Sequence, residues 1–440
     1  MLGGPVWGRA LARELFAAAL AAVAPAEATR RALAEPEVAQ ALAGARRIVV
    51  VGAGKAGEAM ADGAVAALGP RVGGGVVLVR HGHTSRSMVG PVTIREAGHP
   101  LPDEASLRGS AEVVAALGGV GADDVVLVLI SGGASSLLAL PPVGVELEAL
   151  RSTGSALLAS GAPIAAVNTV RRHLCGLKGG GLAALAAPAR VIGLCLSDVV
   201  GDPLESIGSG PTVGDPTTFA DAMAVVDAYG LVDRFPAAVI EHLRAGAAGR
   251  RPESVKPGDP RLARAMTRVI ASGRLAAAAM VDAARGRGVS AELLSSTVEG
   301  EAREVGRVYA ALARGLARGE PGRARPCAWV LAGETTVTLG GRVGVGGRNL
   351  EAALAAGLAL DGVEGAMVAC LASDGSDGTS AAAGALVDGA SAGRARALGL
   401  DPGRALAGHD AQPIFEALGD LVVTGPTGTN VADLALVLAW

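Results

Sequence analysis

Aromatic side chains are scarce in this 440-residue chain: three Trp, two Tyr and four Phe. A core of this size must therefore be filled by Ala, Val and Leu, which brings backbones close together. Lysine is rarer still. Lys55, Lys178 and Lys256 stand against 36 arginines, since Lys and Arg total 39. Cysteine occurs four times, at Cys175, Cys195, Cys327 and Cys370, with no close pair. That spacing argues against a disulfide framework or a zinc site and fits a reducing compartment, the cytoplasm. No basic run is interleaved with aromatics and the net charge is −3, so nucleic acid is not an expected partner. Each apolar run meets Gly, Asp or Arg before it reaches a membrane-spanning length, so no membrane partner is expected. No Gly-x-x-x-x-Gly-Lys-Ser/Thr occurs, which excludes a Walker A loop. Arg9 and Arg13 ahead of Phe16–Ala24 imitate a signal peptide. Glu14 breaks that charge pattern, and Leu11, Leu15 and Leu20 fall on one helical face, so we read an amphipathic helix.

Glycine and apolar strands are what the chain has in quantity. Ile48-Val49-Val50-Val51-Gly52-Ala53-Gly54-Lys55-Ala56-Gly57 reads as a strand, a tight turn and the start of a helix. Glycines before a helix offer backbone N–H groups to an anion, and Lys55 adds a mobile charge there. The Gly-x-Gly-x-x-Gly spacing also fits the dinucleotide fingerprint. That fingerprint wants an acid after the next strand, where this chain has Arg80-His81-Gly82-His83. Arg80 would suit a 2′-phosphate, and a turn that merely packs strand on helix is a third reading.

Further along, buried-type strands alternate with helices, the pattern of an α/β protein with covered parallel sheets. Several strands end in small polar loops. Val125–Ile130 delivers Ser131-Gly132-Gly133-Ala134-Ser135, an anion-nest pattern. Val191–Leu196 delivers Ser197-Asp198 and Asp202, carboxylates suited to Mg²⁺, followed by Gly208-Ser209-Gly210. Lys178 precedes three glycines. Residues 246–260, rich in Gly, Pro and Arg, read as a linker between domains at 1–245 and 261–440. Beyond it lie Gly333-Glu334-Thr335-Thr336, Gly346-Gly347-Arg348-Asn349, Ser373-Asp374-Gly375-Ser376-Asp377-Gly378 and Gly425-Pro426-Thr427-Gly428-Thr429-Asn430. The chain offers lysines, an arginine, strand-end aspartates and glycine nests, and no obvious nucleophile–base pair.

These stretches, together with Gly98-His99-Pro100-Leu101-Pro102-Asp103 and Asn168 through Gly180, come in one order over nearly the whole chain. In that order they resemble the glycerate 2-kinase family, whose C-terminal part is called MOFRL and whose members have often been labelled hydroxypyruvate reductases. The chain departs from the family pattern at Cys175, where Ser is usual, and at Gly181, where Arg is common. The resemblance implies ATP-dependent phosphorylation of D-glycerate to 2-phosphoglycerate with Mg²⁺. It implies an α/β fold of two Rossmann-like lobes with mostly parallel sheets and an interdomain cleft, and leaves room for a homo-oligomer. We take Lys55, Arg348, Asp198 and Asp374 as candidate catalytic groups. The nucleotide-binding set is Gly52, Gly54, Ser131, Gly132, Gly133, Ser135, Lys178, Gly208, Ser209 and Gly210. Lys55, Arg348 and Asn349 are the glycerate contacts, the Arg348 fork matching a carboxylate and Lys55 the transferring phosphoryl group, with the reverse allocation, Lys55 on glycerate, as the alternative. Asp198, Asp374 and Asp377 are the metal ligands. The alternatives are an NADP-linked hydroxypyruvate reductase and a non-catalytic nucleotide or sugar-acid binder.

Overall fold

The computed structural model describes residues 3–320, 322, 324–341 and 343–440. The chain forms two compact units, one of Pro25–Ile270 and one of Ala271–Trp440 with the N-terminal segment up to Ala24.

The Pro25–Ile270 unit is built on β1 (Ile48–Ala53), β2 (Val72–Arg80), β3 (Met88–Val89), β4 (Val92–Ala97), β5 (Val125–Ile130), β6 (Arg190–Leu196) and β7 (Ala265–Ala271). Their order in the sheet is β3-β4-β2-β1-β5-β6-β7. From β4 through β6 the pairs are parallel, and the short β3 is antiparallel to β4. β1 and β5 are buried at every position, as unbroken Val, Ile and Leu runs covered on both faces must be. The chain leaves β1 for β2 on one side and returns as β5 on the other. That reversal opens a crevice at the carboxyl ends of β1 and β5, where open α/β sheets take ligands.

The other unit holds β8 (Ser290–Glu301), β9 (Cys327–Thr336), β10 (Ala366–Ala372), β11 (Gly384–Asp388), β12 (Leu421–Val422) and β13 (Asp433–Ala439), in the order β12-β11-β10-β13-β9-β8. The α/β class and the two sheets are as expected. The parallel pattern runs through most of the first sheet, but in the second it is limited to β8–β9; the other four pairs are antiparallel. The connection from β10 to β11, residues 373–383, contains no helix. A parallel return needs a longer crossover, so β11 comes back antiparallel.

Two expected boundaries differ from the structure. Residues 246–260 are packed into the Pro25–Ile270 unit instead of linking domains. Asp215 N–H donates to Val255 O at 2.7 Å, and Phe219 N–H donates to Glu253 at 3.1 Å. The first helix, Pro5–Ala22, belongs to the C-terminal unit. Its buried face holds Leu11, Leu15, Phe16 and Ala19, while Leu20, expected on that face, is half-buried and about half a turn round the helix from Leu11; Arg9 binds Asp388 at 2.8 Å and Asp420 at 2.6 Å.

The shortage of aromatics shows in how closely elements approach. A Cβ on Gly63 would lie 2.3 Å from Ala26 O, and one on Gly306 would lie 2.1 Å from Ala352 O. Glycine at these two helix contacts lets backbones meet where a larger side chain would hold them apart. All four cysteines are buried, and no disulfide joins them. No helix among the described residues is long and apolar enough to cross a membrane.

Candidate active site

The carboxyl ends of β1, β5 and β6 bring together Lys55, Ser131, Gly132, Gly133 and Asp198. Lys55 N–H donates to Gly132 O at 2.9 Å, tying the first loop to the second. A Cβ on Gly133 would lie 3.6 Å from Lys55 Cγ and 3.2 Å from His99 Nε2, and one on Gly132 would lie 2.3 Å from Asp198 Oδ2. The two glycines thus form the floor on which a lysine, a histidine and an aspartate converge. Burial raises the pKa of the half-buried Asp198 carboxyl, while the Lys55 charge pulls the other way. His99 is pushed down to about 4, by burial first and then by Lys55 and Arg80, so it is neutral at pH 7.

The turn after β1 does not offer free donors. Gly54 N–H goes to Leu78 O, Lys55 N–H to Gly132 O, Ala56 N–H to Ser131 Oγ and Gly57 N–H to Gly54 O. Gly52 and Gly54 serve close packing instead: a Cβ on Gly52 would lie 2.1 Å from Leu129 O, and one on Gly54, at φ +142°, 2.0 Å from Ser131 Oγ. The unfilled donors lie one loop further on. Gly132 and Gly133 N–H groups have no acceptor among the described residues, and Gly133 takes a left-handed φ of 88°.

Ser135, Lys178 and Ser209 form a second, connected group. Ser135 Oγ lies 2.8 Å from Ser209 Oγ, and Ser209 Oγ donates to Asn168 at 3.0 Å. Ser209 O and Gly210 O accept from Gly179 and Gly180 N–H at 3.0 and 2.7 Å. The Gly208–Gly210 loop, with three successive positive φ angles, is therefore the clamp that shapes the Lys178 turn. Lys178 is buried, and its Nζ donates to Leu138 O at 2.8 Å. Cys175 bonds the same segment through Leu140 N–H at 3.3 Å, a contact a serine would also make.

In the other unit, Arg348 opens the helix Arg348–Ala359 and binds Asp433 with Nε and Nη2 and Glu334 with Nη1. Its fork is filled by carboxylates of its own unit. Burial alone would lower the Arg348 pKa; the Asp433 carboxylate more than reverses this and holds the guanidinium charged. Asn349 donates twice to Asp377 Oδ1, and Leu350 N–H to Asp377 Oδ2, so Asp377 anchors the helix start. Burial pushes the Asp377 carboxyl up to about 6. Arg348, Asp374 and Asp377 line a cavity of about 510 Å³, with Glu351 and His409 on its wall.

Among the described residues no three His, Cys, Asp or Glu side chains converge, so there is no all-protein metal cage. Mg²⁺ needs none; one or two carboxylates, waters and substrate phosphates suffice. The half-buried Asp198 and Asp374 fit that use, whereas Asp377 has both oxygens taken. Sequence reasoning did not select His99, Arg171, Glu351 or His409. The first two lay inside stretches already noted, but a lone His or Arg carries no spacing signal. Glu351 and His409 meet at 2.7 Å only through folding.

A family model described as a domain of unknown function, DUF4147, matches residues 11–244, and the MOFRL family model matches residues 327–433. A protein of Agrobacterium vitis carrying a provisional hydroxypyruvate reductase name is 42% identical over 444 residues, 100% of this chain and 96% of its own. D-glycerate 2-kinase of Thermotoga maritima is 36% identical over 392 residues, 89% of this chain and 90% of its own. The crystal structure of glycerate kinase from Thermotoga maritima matches with a TM-score of 0.90 at 36% identity, covering 99% of this chain and 100% of that one. The chain belongs to the glycerate kinase family whose C-terminal part is the MOFRL domain.

Proposed function

We propose that this chain transfers the terminal phosphoryl group of ATP to the 2-hydroxyl of D-glycerate, giving 2-phosphoglycerate and ADP. The observation that carries the reading is likeness over nearly the full length to a D-glycerate 2-kinase. The site chemistry supports it. Lys55, whose side chain runs beside Gly133, would supply a mobile charge to the transferring phosphoryl oxygens. Gly132 and Gly133 N–H groups add fixed donors beside it. Asp198, with its pKa raised by burial, is the candidate to orient the hydroxyl and take its proton. Neutral His99 packs against the same floor without adding a competing positive charge. Ser131, Gly52 and Gly54 shape this floor, while Ser135, Lys178 and the Gly208–Gly210 loop form its neighbouring anion group.

Mg²⁺ bound by Asp198 or Asp374 together with the phosphates would neutralise part of their charge. Arg348, fixed by Asp433 and Glu334, lines the larger cavity as a permanent positive charge, with Asn349 holding Asp377 beside it. That cavity has the volume for a nucleotide. A reductase reading has a physical obstacle: the N–H groups at Gly54–Gly57 that would hold a dinucleotide pyrophosphate already have acceptors. A coupled assay on the purified chain separates the readings. Glycerate-dependent ADP release is expected; NADPH oxidation with hydroxypyruvate would replace the kinase by a reductase, and neither signal would leave a binding protein.

A further inference from the structure

The helix Ile164–Arg172 ends in two arginines that point to different surroundings, as residues about 100° apart on a helix do. Arg172 is buried and ion-paired with Asp215 at 2.8 Å, and it donates to Glu205 O at 3.1 Å. Arg171 is half-buried, and its guanidinium has no hydrogen bond or ion pair among the described residues. It lines a narrow cavity of about 50 Å³ with Ser135 and Lys178. No Asp or Glu lines that cavity; its walls are Leu101, Leu150, Leu157 and Leu174. Lys178 donates to Leu138 O and is hydrogen-bonded to Cys175, which leaves one N–H for a ligand, and burial disfavours its charged form as it does that of Arg171. Two cations without a carboxylate partner, set among leucines, await an anion, and the apolar walls strengthen their pull.

The cavity is too small for a nucleoside and large enough for an oxyanion head group. It also abuts the transfer centre. Pro100 and Leu101 follow His99 directly, and Ser135 lies two residues beyond Gly133. We infer that Arg171, Lys178 and Ser135 form a carboxylate socket that holds the acid end of the hydroxy-acid substrate. Arg171 supplies the planar fork that a carboxylate matches, Lys178 a compact charge and Ser135 a hydroxyl already positioned by Ser209. In a 2-hydroxy acid the reacting hydroxyl sits on the carbon next to the carboxylate. An anchored carboxylate therefore presents that hydroxyl at one reach from the socket and holds the 3-hydroxyl further off. The socket makes Arg171 a determinant both of acid specificity and of which hydroxyl reacts.

This inference rests on the kinase reading, and the experiment keeps the two apart. Kinetics with both substrates varied are measured for wild type, Arg171→Gln, Arg171→Lys and Ser135→Ala, with thermal melts to establish folding. Calorimetry measures D-glycerate binding to the same proteins without nucleotide. The expected result is a KM and Kd for glycerate raised about 10- to 100-fold in Arg171→Gln. Arg171→Lys recovers part of the loss, and the ATP KM stays within about twofold. Preference for glycerate over glycerol, which lacks the carboxylate, should fall by the same factor. An unchanged glycerate KM with a raised ATP KM would give the socket to a nucleotide phosphate and overturn the inference, as would no change in either. Should wild type release no ADP, the kinase reading fails, and calorimetry still decides the socket: glycerate binding lost in folded Arg171→Gln supports it, and equal or absent binding overturns it.

Discussion

Gly132→Ala is a one-carbon change that reads out the position of Asp198. The added Cβ would lie 2.3 Å from Asp198 Oδ2. A carbon–oxygen contact needs about 3.3 Å, so the carboxylate must retreat by about 1 Å. Gly132 does not hold a positive φ, so alanine suits the backbone itself. The obstructing atom is the end of a half-buried side chain, and moving it costs about 1 kcal/mol in rotamer strain. A group that orients a reacting hydroxyl tolerates much less: a shift of about 1 Å lowers turnover on the order of 100-fold. Gly63→Ala is the matching control. Its Cβ would meet the Ala26 carbonyl oxygen at 2.3 Å, away from the site. That change should lower stability by about 1–3 kcal/mol and leave kcat near wild type in the folded fraction. ADP release and urea denaturation on both variants make the comparison. A folded Gly132→Ala enzyme with wild-type kcat would refute the placement of Asp198 at the reaction centre.

Three further outcomes are expected. Lys55→Met should cut kcat about 100- to 1,000-fold with an unchanged melt, as loss of a preorganised charge does, and wild-type kinetics would remove Lys55 from the site. Arg9→Met leaves the buried Asp388 without its cation and should cost about 3 kcal/mol in urea denaturation without altering kcat; a neutral effect would contradict the docking of the first helix. Burial would raise the Asp103 pKa, but hydrogen bonds from His81, Ser106 and Gly98 bring it from 3.8 to about 2. Its stabilising contribution is therefore present above pH 4 and lost as pH falls toward 2. Asp103→Ala should cost about 1 kcal/mol at neutral pH, after allowance for its exposure, and the difference should shrink in acid. A pH-independent difference would contradict this ionisation.

Strands built as continuous Val and Ile runs were legible from sequence because burial on both faces leaves an unbroken apolar signature. Val125–Ile130 is found at those very residues. β11 was not foreseen: Gly384–Asp388 is short and set among glycines, and its strand state comes from pairing with β10. The 246–260 stretch has a linker's composition, yet Val255 and Glu253 secure it through contacts no local pattern encodes. At the site, sequence pointed to the loops but not to how their donors are used. The fingerprint turn looked open to an anion, and Ser131 and Gly132, distant in sequence, fill it. Conversely Arg171 looked like its neighbour Arg172, and the fold separates a paired arginine from an unpaired one.

The position of the transferred phosphoryl group tests the central claim most directly. The purified chain is incubated with ATP, Mg²⁺ and D-glycerate, and the product is read by phosphorus NMR against both phosphoglycerates. The account predicts 2-phosphoglycerate formed in step with ADP, and no product with hydroxypyruvate and NADPH. Formation of 3-phosphoglycerate, or of no phosphoglycerate at all, would contradict it.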